Sequence, residues 1–133
     1  MCQLNTISFN ICSKKMALDL NKLGVVQAKT FILEYPKIPK KFNHHFIRGV
    51  FDGDGCIYVQ KNGIKKWSIY TASELFKNKL IDILELETGI KLFCYKQGNG
   101  YALTIFRKND IPLISNYMYK NSTIYLERKK NKF

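Results

Sequence analysis

Residues 46 to 59 read FIRGVFDGDGCIYV, and positions 49 to 55 of that stretch hold two aspartates and three glycines. An apolar run that reads as the last turns of a helix leads directly into Asp52 and Asp54. A helix C-terminus carries partial negative charge, so acids are disfavoured there and cations are favoured. The plainest reading is an Asp-Gly turn. A calcium-loop reading fails. Counted from Asp52, Cys56 falls on a ligand position, and Gly63 stands where a bidentate Glu is required. Gly49 and Gly53 lie four apart and share a helical face with Phe46 and Val50, so a second helix could approach that face closely. If the second helix is a copy of this one, the crossing gathers carboxylates beside two helix C-termini, and a divalent cation would relieve their repulsion.

The elements around the stretch follow from periodicity. Residues 55 to 61 and Trp67 to Ala72 alternate in character around Asn62-Gly63, which marks a β-hairpin with a two-residue turn. Ile57, Val59, Trp67 and Ile69 should point inward, leaving Tyr58, Gln60, Ser68 and Tyr70 outward. Ser73 can cap a helix with Phe76, Leu80, Ile83 and Leu84 on one face, and Gly89 marks its end. Leu92 to Lys96 and Tyr101 to Arg107 form a second hairpin through Gly98-Asn99-Gly100. Asp110 and Pro112 then open a helix carrying Leu113, Ile114, Tyr117 and Met118. From Phe42 onward the order is αββαββα, an α+β fold with an antiparallel sheet.

The stretch at 8 to 24 echoes the one at 68 to 84. Ser8, Ser13, Leu20 and Leu23 fall on Ser68, Ser73, Leu80 and Ile83. Residues 1–41 are therefore expected to be a partial preceding repeat and linker, with the prolines of Tyr35-Pro36-Lys37-Ile38-Pro39 stopping regular structure. Residues 42–133 form the second unit with a basic tail. The opening helix and first strand of the first copy would lie before Met1.

Lys and Arg total 22 against 10 Asp and Glu in 133 residues, a net charge of +12 that suits a polyanionic partner, nucleic acid above all. No apolar run approaches the ~20 residues of a membrane span, and no signal-peptide order opens the chain, so an intracellular protein is expected. Cys2, Cys12, Cys56 and Cys94 lack the spacing of a zinc site and are expected as reduced, half-buried thiols. His44 and His45 lie early in the helix and receive no chemical role.

Ile47-Arg48-Gly49-Val50-Phe51-Asp52-Gly53-Asp54-Gly55 resembles the LAGLIDADG signature of homing endonucleases, with Gly, Asp, Asp and Gly at the matching places. The element order, the tail IYLERKKNKF at 124 to 133, and SKKMALDLNKLGV followed by Lys29-Thr30 are similar to the family as well. The resemblance implies a Mg²⁺-dependent, site-specific DNA endonuclease associated with intron or intein mobility. Asp54 then matches the metal-binding acid, Gly53 a carbonyl ligand, and Asp52 a structural helix-end residue. Gly49 and Gly53, flanked by Phe46 and Val50, match the helix-packing positions. Lys108, with Arg107 second, is the basic residue expected to assist the attacking water. Double-stranded DNA would meet the outward sheet face through Tyr58, Gln60, Ser68, Tyr70 and Arg107, with Lys61, Lys65 and Lys66 at phosphates. The tail lysines and Arg128 are expected at phosphates or disordered. A full active centre of this family uses two motif helices, and one signature is present, so a dimer partner or an upstream segment would supply the other. The alternatives are a non-catalytic DNA- or RNA-binding relative, maturase-like or regulatory, and an inactive remnant of a mobile element.

Overall fold

The computed structural model describes residues 10–25 and 30–133; Cys2, Ser8 and Lys29 lie outside them. After helix α1 (Lys14–Lys22) and a 3₁₀ turn (Lys40–Phe42) come α2 (Asn43–Asp54), β1 (Cys56–Val59), β2 (Lys65–Thr71), α3 (Glu74–Thr88), β3 (Phe93–Gln97), β4 (Gly100–Ile105), α4 (Asp110–Tyr119) and the short α5 (Glu127–Lys130). The αββαββα order from Phe42 holds, followed by α5. The sheet is four-stranded and antiparallel throughout, in the order β1-β2-β4-β3. The two hairpins thus join through β2 and β4 at the centre.

The hairpin turns differ from one another. Asn62-Gly63 does not form a two-residue loop: the Gln60 N–H donates to Ile64 C=O at 2.8 Å and the Gly63 N–H to Gln60 C=O at 2.9 Å. Gly63 has φ +82°, so the connection is a three-residue loop with glycine in the left-handed position. The second hairpin pairs Gln97 with Gly100 and turns on Gly98, φ +57°, and Asn99. A positive φ at the first central residue alone is the pattern of a type II′ turn.

Helix α3 begins where Ser73 Oγ accepts the Phe76 N–H at 3.2 Å, and it ends at Gly89 with φ +73°. The same hydroxyl donates to Leu33 C=O, which ties the N-terminal segment to the unit. Ser13 caps α1 by the same geometry, accepting the Met16 N–H at 3.2 Å. The two helices differ in what lies beneath them. Leu80 and Ile83 are buried, whereas Leu20 and Leu23 are exposed and α1 has no buried residue.

The core lies between the sheet and the helices. From α2, Ile47 and Phe51 are fully buried, one helical turn apart, and the Phe51 ring stacks on Trp67 with centroids 5.6 Å apart and planes at 11°. Ile57, Ile69, Leu103 and Ile105 also face inward from the sheet. Leu80 and Leu84 close it from α3, and Ile114 and Met118 from α4. Two inward expectations fail. Val59 is exposed because it sits opposite Lys65 at the tip end of a short edge strand. Leu113 is exposed because the buried stripe of α4 runs through Ile111, Ile114 and Met118, at helical spacing that leaves it outside. Cys12, Cys56 and Cys94 are free thiols but exposed, not half-buried; Cys56 and Cys94 lie on strands that edge the sheet.

A polar network anchors the N-terminal end of α2. Asn43 Nδ2 donates to Glu87 Oε1 at 2.7 Å, Tyr117 Oη to Glu87 Oε2 at 2.7 Å, and Tyr35 Oη to Asn43 Oδ1 at 3.2 Å. Arg48 reaches across to Met118 C=O at 3.1 Å and Ile124 C=O at 3.0 Å, binding α2 to α4 and the following loop. Burial raises the pKa of the Tyr35 and Tyr117 phenols, with Glu87 adding to both, and burial followed by Asp52 raises that of Tyr119. The folded state therefore keeps these three protons where the unfolded chain releases them, near pH ~10. Their contribution to stability is complete below that pH and is lost as pH rises beyond it. In an alkaline titration, ionisation of these phenols should accompany loss of the far-ultraviolet circular dichroism. Complete phenolate absorbance with a native spectrum would contradict this.

Candidate functional site

Asp54 is the last residue of α2 and its side chain is exposed. It stands at one wall of a cleft of about 590 Å³ with Gly49, Val50, Gly53 and Phe46, facing Leu23–Val25, Thr30, Leu33, Glu34 and Pro36. Tyr70, Thr71, Ala72 and Phe76 complete the lining. Phe46 is already engaged within the chain, its ring 4.9 Å from that of Tyr35 and 6.3 Å from that of Phe76. Gly49 and Gly53 are exposed, and a Cβ built on either meets nothing within 4 Å among the described residues. Gly55 is different. A Cβ there would lie 2.3 Å from the Phe51 ring and 2.7 Å from Phe51 C=O, so only glycine fits where β1 leaves the helix.

Asp52 turns the other way. Its carboxylate accepts the Leu126 N–H at 3.1 Å and the Tyr119 hydroxyl at 3.5 Å, fastening the C-terminal segment to the motif. The residue that composition and spacing did not reveal is Lys129. It is 6% exposed, and its Nζ donates to Phe51 C=O at 2.6 Å, Asp52 C=O at 2.9 Å and Gly55 C=O at 2.5 Å. An ammonium has three donors, and all three serve carbonyls where α2 ends, among them Phe51 C=O, which also accepts the Gly55 N–H at 2.8 Å. Burial pulls the Lys129 pKa below its usual value, helped by Arg128 and opposed by Asp52, Cys56 and Asp54. The tail is thus folded onto the motif helix through a buried lysine, neither free for phosphate nor disordered at that residue. The misplaced acids are compensated within the chain, so helix-end electrostatics alone does not demand a metal. A basic residue seventy-odd positions away carries no spacing signal.

The remaining candidates are dispersed. Lys108 is exposed beside a second cleft of about 630 Å³ with Asn62, Gly63, Lys65, Phe106, Ile111, Pro112 and Phe133, none of which lines the cleft at Asp54. Arg107 lies 3.9 Å from Asp110 and over the Phe93 ring at 5.4 Å. Lys65 donates to Phe133 C=O, Lys66 to the Tyr95 hydroxyl at 3.2 Å, and Lys61 is exposed in the hairpin loop with Gln60. Tyr58, Ser68 and Tyr70 share the sheet face away from the helices, with Tyr58 and Tyr70 exposed and Ser68 partly covered. His45 stacks on His44 at 3.9 Å and meets Arg48, far from Asp54 along α2. Among the described residues no group of three or more His, Cys, Asp or Glu could hold a metal ion, and no helix is long and apolar enough to cross a membrane.

Replacing Lys129 with methionine keeps most of the packed volume and removes three hydrogen bonds to buried carbonyls. The expected loss in urea unfolding is about 2–4 kcal/mol. Lys130→Met, which removes a cation over the Tyr125 ring, should cost under about 1 kcal/mol. Equal small losses would show that the tail does not hold the helix end.

The family model of a LAGLIDADG-like domain matches residues 41–114, more than half of the chain. A search of curated proteins finds no match. Among solved structures, the crystal structure of the N-terminal LAGLIDADG domain of DUF199/WhiA aligns with a TM-score of 0.57 and 17% identity, covering 77% of this chain and 50% of that one. The crystal structure of a homing endonuclease, I-TnaI, aligns with a TM-score of 0.51 and 15% identity, covering 68% of this chain and 66% of that one. At such identities the likeness is one of fold, and it agrees with the antiparallel sheet and the helices packed on it. On the family match, the chain belongs to the LAGLIDADG-like domain family.

Proposed function

We propose that the chain is one half of a site-specific DNA endonuclease of the homing type, whose second motif helix comes from a second copy or from a preceding segment. The observation that carries this reading is the pair Gly49 and Gly53. Each sits on an exposed helical face where no contact among the described residues requires glycine. A glycine in a helix interior costs roughly 0.5–1 kcal/mol relative to alanine. Two such costs beside an exposed carboxylate make sense if another helix crosses there at close range. Residues 1–41 belong to this reading as the end of a preceding repeat, supported by the shared cap geometry of Ser13 and Ser73.

The donors at the helix end fit half of a site for a hard divalent cation such as Mg²⁺. Asp54 would hold it with its carboxylate and Gly53 with its carbonyl, while water, substrate phosphate and the second helix complete the shell. Such a cation, when bound, supplies Lewis-acid stabilisation of charge on a phosphodiester. The chain's own residues do the rest. Lys129 keeps the last turn of α2 in place, Asp52 holds the tail, and the cleft wall presents Asp54 to the partner helix. On the sheet, Tyr58, Gln60, Ser68 and Tyr70 face double-stranded DNA, while Lys61, Lys65, Lys66, Arg107 and Lys108 serve phosphates. Lys108 is proposed for phosphate rather than for the attacking water because it shares no cleft with Asp54.

One observation favours a second reading, a binding-only relative. Among the described residues the cleft at Asp54 is lined by no lysine, arginine or histidine that could pass a proton. Cleavage of the host locus lacking its intron or intein, with Mg²⁺, separates the two. The nuclease reading expects cutting by the natural chain and none by Asp54→Asn, with DNA binding retained. Binding without cutting at any protein concentration would establish the second reading. For the helix face, Gly49→Leu should shift the sedimenting species from dimer to monomer, and a dimer that persists in the variant would count against the crossing.

A further inference from the structure

The sheet ends in an uncovered edge. In the order β1-β2-β4-β3 the last strand has a neighbour on one side, and among the described residues β3 pairs with β4 alone. All five of its residues, Phe93–Gln97, are exposed. Which of its backbone groups are free follows from the hairpin. A two-residue turn makes its flanking residues, Gln97 and Gly100, a hydrogen-bonded pair, and such pairs alternate along an antiparallel ladder. Phe93, Tyr95 and Gln97 therefore use their N–H and C=O groups on β4, while those of Cys94 and Lys96 point away from the sheet. Edge groups of this kind pair with another strand unless charge, proline or a covering element prevents it. β3 carries no proline and a single charge, that of Lys96.

The strand is complementary to itself about Cys94. When two copies lie edge to edge and antiparallel about a two-fold axis at this residue, Cys94 exchanges both of its hydrogen bonds with the partner's Cys94. Phe93 then stands opposite the partner's Tyr95, and Tyr95 opposite the partner's Phe93. These are non-hydrogen-bonded positions, where side chains across an antiparallel pair approach most closely and aromatic pairs stabilise. Both rings are available, Phe93 being 41% and Tyr95 44% exposed. Lys96 meets the partner's Leu92, so no like charges face each other. An axis at Tyr95 would instead bring the two Lys96 side chains onto neighbouring diagonal positions and separate the aromatic pairs.

We propose that β3 is a contact surface for a second copy of the chain, joining the two sheets into one through the pairing centred on Cys94. The two-fold axis stands normal to the sheet, so both outward faces lie on one side and present a continuous surface to a duplex. That consequence for DNA rests on the reading of the outward face given above, whereas the contact itself does not. A contact of one short strand a side falls well short of the ~1,000 Å² expected of a stable free dimer. The pairing is therefore weak in dilute solution, and sedimentation of Gly49→Leu still reports on the helix face alone.

Across a hydrogen-bonded pair the Cα atoms stand about 5.5 Å apart, within the span of a disulfide. The test uses the full chain carrying Gly49→Leu, so that helix pairing does not contribute, at high concentration and without DNA. Added diamide takes two electrons and two protons from each pair of thiols that joins. Mass mapping should find Cys94 bonded to the partner's Cys94 as the main product, ahead of links through the exposed Cys12 and Cys56. Lys96→Pro removes an outward N–H without breaking the β3–β4 ladder, and should slow this cross-link roughly ten-fold. Lys96→Ala keeps the N–H and should leave the rate unchanged. Cross-links spread evenly over the exposed cysteines, or equal rates for Lys96→Pro and Lys96→Ala, would overturn the proposal.

Discussion

The Lys129 ammonium at the end of α2 ties the C-terminal segment to the helix that carries the motif. It gives its three hydrogen bonds to Phe51, Asp52 and Gly55 carbonyls, and so satisfies a helix terminus while delivering a positive charge to the negative end of the dipole. The C-terminal segment comes with it. Leu126 bonds to the Asp52 carboxylate, Lys130 lies over Tyr125, and the Phe133 ring packs against Phe51 and Tyr119. The helix carrying the family signature is thereby clamped from the sheet side by Phe51 on Trp67 and from the tail side by Lys129.

That clamp divides the two aspartates by direction. Asp52 faces the tail and has a main-chain donor and a phenol as partners, while Asp54 ends the helix at the exposed cleft. The three motif glycines divide similarly. Gly55 answers to a contact inside the chain, where the strand passes over the Phe51 ring, and Gly49 and Gly53 answer to none among the described residues. Both lie on the helical face that borders the cleft with Asp54.

Much of the fold was legible in local pattern. Ser73 and Gly89 bracket α3 because a side-chain oxygen at the start and a left-handed residue at the end solve problems that are local to a helix. Trp67 and Ile69 face the core because strand periodicity is local too. Asn62-Gly63 was read as a two-residue turn, yet the pair closes a three-residue loop, since the same glycine signal serves either. For the site, Asp54 and its glycines were visible in the motif. Lys129 was not, because it stands 74 positions beyond Gly55 within a run of basic residues that reads as a solvated tail.

By itself the amino-acid sequence determined the order of helices and strands, the end points set by caps and turns, the strongly basic charge and the family signature. These depend on neighbours a few residues apart, whose interactions any conformation of the chain must satisfy. Only the tertiary structure decided that a tail lysine neutralises the motif helix and that Lys108 and Asp54 border separate clefts. Those outcomes come from contacts between distant segments, fixed by which groups could be buried together with most of their hydrogen bonds made.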